Sequence, residues 1–122
     1  MAEQIPPQVQ NQLVRFQELQ EQLKAILIRK QHFDIETKEV DKALTESKNL
    51  ADDAVIYKSV GVLLFRTEKA KIVVELTERK EELDLRIKTI EKQEQRLKLQ
   101  LEELRKTIIN QVNLSGKGPA SG

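Results

Sequence analysis

The chain has 122 residues, room for one domain at ~100–200 residues per domain. Lys and Arg number 21 against 20 Asp and Glu, a formal net charge of +1, which excludes the basic excess typical of polyanion binders. There is no cysteine and a single histidine, His32, which excludes a disulfide framework, a thiol nucleophile and a multi-histidine metal site. Hydrophobic residues make up 39% and aromatics 3%, so a broad close-packed core is not expected.

Met1 to Pro7 has neither the basic nor the apolar region of a secretory signal. The apolar run Val62–Phe65 is far short of the ~18 residues of a membrane span. The expectation is a cytoplasmic protein.

Between Pro7 and Leu50 no proline or glycine interrupts the chain, and a helix is predicted over 7–50. Pro6-Pro7 suits its start, since a first-turn proline loses no helical hydrogen bond. One row of its heptads runs Phe16, Leu23, Lys30, Thr37, Leu44, and the other Leu19, Ile26, Phe33, Val40. Alternating steps of three and four give the ~3.5-residue period of a left-handed coiled coil. Val9 and Leu13 are expected to extend the stripe toward the N-terminus.

The next stretch, Ala54 to Arg66, is dense in β-branched and aromatic residues around Gly61. It reads as a β-hairpin over 55–66, with strands Val55–Val60 and Val62–Arg66. Two strands alone are marginal in water. Val55, Ile56, Val60, Val62, Leu63, Leu64 and Phe65 put apolar side chains on both faces, and both strand edges lack partners. A narrow two-helix seam cannot cover them. Hairpins from several chains are therefore expected to pair, and closure into a barrel removes the open edges.

A second helix is predicted over 68–113, with Thr67 as its N-cap and Glu68 against the helix dipole. Its rows are Leu76, Leu83, Ile90, Leu97, Leu104 and Val73, Lys80, Ile87, Glu94, Leu101, Ile108. At ~1.5 Å per residue each helix would run to roughly 65 Å. Similar lengths and a short connection predict an antiparallel two-helix coiled coil, with paired positions counted outward from Leu50 and Glu68. The whole is mainly α, one domain over 1–113, and 114–122 is a flexible tail rich in glycine.

The connector Asp52-Asp53-Ala54-Val55-Ile56-Tyr57-Lys58-Ser59-Val60-Gly61, followed by Leu63-Leu64, resembles that of the β subunits of archaeal prefoldin. The start Ile5-Pro6-Pro7-Gln8-Val9-Gln10 is similar as well. So are Leu76-Thr77-Glu78-Arg79-Lys80-Glu81-Glu82-Leu83 and Arg86 to Glu94. The resemblance runs from Ile5 to about Ile109. It implies a molecular chaperone that works without ATP, as a hexamer of two α-type and four β-type subunits. Its hairpins assemble into a barrel platform, the distal coil ends hold non-native client proteins, and clients pass to a group II chaperonin. Tyr57, Lys58, Gly61 and Leu64 match the platform motif. Subunit assembly is thus expected at Val55, Ile56, Tyr57, Lys58, Val60, Gly61, Val62, Leu63, Leu64 and Phe65.

The two chain ends lie farthest from the hairpin in a paired coil, where local opening costs least. Client contact is expected there, at Ile5, Val9, Leu13, Phe16, Ile108, Ile109, Val112 and Leu114.

Other features read as ordinary. His32 falls between seam rows. The acidic pairs Asp52-Asp53 and Glu81-Glu82 have no pocket to raise a pKa. Gly116-Lys117 lacks the strand and earlier glycine of a phosphate loop. Asn113-Leu114-Ser115 matches a glycosylation sequon by accident. No constellation of nucleophile, base and pocket points to an enzyme, and no cofactor, metal, nucleic acid or membrane partner is expected. A coiled-coil scaffold or tether is the alternative, but it leaves the apolar hairpin without a purpose.

Overall fold

The computed structural model describes residues 5–116, with the side chains of 115 and 116 excepted. The order is helix α1 (Pro7–Lys48), strand β1 (Ile56–Val60), strand β2 (Leu63–Thr67) and helix α2 (Lys69–Gly116). It is the mainly helical plan expected, with one central antiparallel hairpin.

Several boundaries differ, each for a local reason. Pro6 is the N-cap of α1, because its carbonyl accepts the first intrahelical bond from the Gln10 amide at 3.0 Å, and Pro7 takes the first helical position. The helix stops at Lys48 rather than at Leu50, with the Leu50 amide turning back to the Ser47 carbonyl. Val55 precedes β1, and Val62 sits in the turn. Thr67 is not the cap of α2, since it is still pairing with Ile56 as the last residue of β2. Glu68 caps instead, its carbonyl accepting from the Ile72 amide. Helix α2 continues to Gly116 and takes Leu114–Gly116 out of the expected tail. The rest of that tail lies outside the described residues.

The chain forms two compact units. The first comprises residues 5–29 and 90–116 of the described chain, the second residues 30–89. In the second, the core is Val40, Leu44, Ile72 and Leu83, with the Ser47 side chain buried beside them. All these apolar residues except Ile72 belong to the predicted heptad rows. Glu36 and Arg79 join the helices through a bidentate pair at 2.7 and 2.9 Å. Lys80, a polar seam residue, reaches Asp41 at 2.8 Å. These two pairs bracket the register counted from Leu50 and Glu68. The Arg86 guanidinium lies 5.9 Å from the Phe33 ring centre, within the range of a cation–π contact.

In the first unit Val9, Leu19, Ile90 and Leu97 are buried. Glu94, the acidic seam residue, is buried too, and its carboxylate accepts from Lys98 one turn on at 2.7 Å. The predicted extension of the stripe is half right. Val9 is in the seam, but Leu13 is exposed, and the position seven before Leu19 belongs to Gln12, which is half-buried.

Candidate functional site

The hairpin is built by its turn. Gly61 has a φ of +58°, and Val60 pairs directly with Leu63, so two residues close the loop. Among the described residues no other has a positive φ in the left-handed region. A positive φ at the first central position alone is the pattern of a type II′ turn, whose twist matches the flanking strands. That is why a glycine is needed there.

Pairing fixes which side chains share a face. Directly opposed residues lie on the same side of an antiparallel pair, and successive pairs alternate. One face carries Ile56, Lys58, Val60, Leu63, Phe65 and Thr67; the other carries Tyr57, Ser59, Leu64 and Arg66. The first face looks toward α2, since the Lys58 ammonium donates to Glu75 Oε2 at 2.8 Å. Ile56 and Thr67, at the root of the hairpin, are half-buried.

Nothing within the unit covers the remainder. Val62 is fully exposed, Leu64 is 71% exposed and Tyr57 60% exposed. Val55, Val60, Leu63 and Phe65 are also exposed. Among the described residues, β1 and β2 pair with each other alone, so each strand keeps an open edge. Apolar side chains clustered on both faces of a two-stranded ribbon are the mark of a contact surface rather than of a finished fold. Of the ten residues read as an assembly set, Lys58 differs, because its charge is already engaged by Glu75 in the same chain.

The root is held by a residue that sequence reasoning passed over. Lys69, in the first turn of α2, donates to the carbonyls of Lys48 at 3.0 Å and Leu50 at 2.7 Å, and approaches Asp52 Oδ1 at 3.5 Å. It caps the last turn of α1, where unpaired carbonyls and the helix dipole attract a cation. Sequence spacing gives no signal for it, because donor and acceptors meet across 17 to 21 residues. Beside it opens a groove of about 550 Å3 lined by both signs of charge, Asp52, Asp53 and Glu68 against Arg66 and Lys71.

The chain-terminal ends of the helices belong to the first unit. Of the residues read as client contacts, Ile5, Leu13, Ile109, Val112 and Leu114 are exposed, Leu114 at 72%. Phe16 and Ile108 are half-buried. Val9 is 2% exposed and packed in the seam, so it is not part of the surface of the closed coil. Val14, exposed between the same turns, adds an apolar side chain that the seam rows do not point to.

Elsewhere, His32 is exposed on α1. Among the described residues no group of His, Asp and Glu is placed to hold a metal ion. No described helix is long and apolar enough to cross a membrane.

An uncovered hairpin carried between two long helices defines a class of protein, and comparison with known proteins agrees. The model of a family described as "Prefoldin subunit" matches residues 10–114, and the chain belongs to that family of chaperone subunits, which assemble with one another. Its likeness is to the β type. It is 43% identical over 104 residues to prefoldin subunit beta of Methanothrix thermoacetophila, covering 85% of this chain and 87% of that one. It is 42% identical over 118 residues to prefoldin subunit beta of Caldivirga maquilingensis, covering 97% of each. Its structure is similar to the crystal structure of the prefoldin beta subunit from Thermococcus strain KS-1, with a TM-score of 0.79 and 43% identity, over 88% of this chain and 94% of that one. The resemblance drawn from the connector and the second helix thus holds.

Proposed function

We propose that this chain is the β-type subunit of a cytoplasmic, ATP-independent holdase, assembled as a hexamer with two α-type and four β-type subunits. The observation that carries the proposal is the hairpin, with apolar side chains on both faces and an open edge on each strand. Burial of apolar surface contributes about 25 cal/mol per Å2, and edge pairing satisfies backbone groups that otherwise face water. A closed barrel of such hairpins supplies both. Val55, Ile56, Tyr57, Val60, Gly61, Val62, Leu63, Leu64 and Phe65 form its contacts, and Lys58 holds each hairpin to its own α2.

The second part of the reading concerns the client. Ile5, Leu13, Ile109, Val112 and Leu114 offer apolar side chains at the helix ends, and Val9, Phe16 and Ile108 join them on opening. A non-native polypeptide exposes the same kind of surface and is held there by burial that requires no chemistry. Release passes the client to a group II chaperonin.

The test is light scattering from a chemically denatured protein diluted into buffer without ATP, in the presence of this chain assembled with an α-type subunit. Suppression of aggregation is expected, and it is lost when residues 5–16 and 108–114 are deleted. An assembled hexamer that never suppresses aggregation overturns the holdase reading in favour of a coiled-coil scaffold. Capture that survives the deletion moves the client site away from the helix ends.

A further inference from the structure

Both helices carry a glutamine where their seam rows would take another apolar residue. Gln12 lies seven residues before Leu19, and Gln111 lies seven after Leu104. Both are half-buried in the first unit. The Oε1 atom of each is sealed from solvent with no hydrogen-bond partner among the described residues. A buried amide oxygen without a donor favours any state in which water reaches it. The apolar side chains on the same rows pull the other way. Val9 is buried, while Phe16 and Ile108 are half-buried. Closure hides Val9 and part of Phe16 and Ile108 from water, and opening hydrates both amide oxygens.

We propose that Gln12 and Gln111 are a release built into the seam. They hold the chain-terminal coil near the balance between closed and open, so that the buried Val9 and the half-buried Phe16 and Ile108 become available to a non-native polypeptide. The inference rests on the reading that these helix ends hold clients, and it adds what controls the grip. A leucine at each position would continue the heptads, tighten the seam and keep Val9 and the covered parts of Phe16 and Ile108 out of reach.

The experiment uses the full chain assembled with an α-type subunit, as wild type and as Q12L/Q111L. Native-state hydrogen exchange is followed over residues 5–16 and 104–114, and aggregation suppression is measured on the same samples. Leucine at a seam position packs as its neighbours do, so the variant folds. The expected result is exchange slowed about tenfold or more in both segments, unchanged exchange in the hairpin, and a several-fold loss of suppression. Unchanged exchange at the helix ends overturns the proposal, because the amides then set no balance. Slowed exchange with undiminished suppression overturns it also, because opening is then not what admits the client. The deletion of residues 5–16 and 108–114 separates the two readings. Capture that survives deletion refutes the client site itself, while capture lost on deletion but indifferent to Q12L/Q111L refutes the release alone.

Discussion

Gly61 shows how much one residue can decide. Its φ of +58° lies where L side chains are strained, yet a Cβ built there meets nothing within 4 Å. Replacement by alanine therefore costs backbone strain alone, ~1–2 kcal/mol. G61A is expected to weaken hairpin pairing by that amount and leave the helices intact, seen as a rise in the dissociation constant of the assembly at unchanged helical circular dichroism. Glu82 makes a different residue-scale prediction. Hydrogen bonds from Arg86 at 2.7 Å and Arg79 at 3.1 Å hold its carboxyl below the usual range. A carboxyl with a lowered folded-state pKa adds stability above its unfolded value and loses it as pH falls through the folded one. The pair is exposed, so the effect is small and salt-sensitive. Melting curves of wild type and E82Q are expected to differ near neutrality, with wild type the more stable, and to converge in acid.

At the scale of elements, the coil is a narrow seam in which single leucines count for much. Leu83 is fully buried at the heart of α2. L83A is expected to cost ~2–5 kcal/mol by lost burial and the cavity left behind, read as a lowered melting temperature. K69M removes the cation from the end of α1 and is expected to cost ~0.3–1 kcal/mol, with faster hydrogen exchange in the last turn of α1. The seam rows were legible in the sequence because they depend on period alone, and every predicted row position is buried or half-buried. Leu13 is exposed although its side chain is apolar, because period rather than chemical identity sets the seam; counting sevens from Leu19 finds Gln12. The N-cap of α2 was missed because Thr67 has cap chemistry, while the strand ladder to Ile56 claims it. The Lys69 contact was illegible for another reason. It exists only once both helices are placed, and no local pattern encodes it.

At the scale of the whole molecule, the surfaces read as assembly and client contact fall in separate compact units, residues 30–89 and residues 5–29 with 90–116. Damage to one is expected to spare the other. L64K puts a charge on a hairpin face that otherwise pairs Tyr57 with Arg66 and Ser59 with Leu64. It is expected to abolish assembly, measured by size-exclusion light scattering, with helical content retained. Deletion of residues 108–114 is expected to leave the assembled mass, corrected for the lost residues, unchanged while capture falls. If both variants lost both properties together, the division would be wrong.

The Lys69 ammonium also fixes where the chain leaves one helix and enters the next. By binding the carbonyls of Lys48 and Leu50, with Asp52 alongside, it fastens the start of the connecting segment to its end. The segment from Ala51 to Glu68 is therefore a cassette with a fixed mouth. A foreign segment whose ends meet that spacing is expected to leave the paired helices intact, read as unchanged helical circular dichroism.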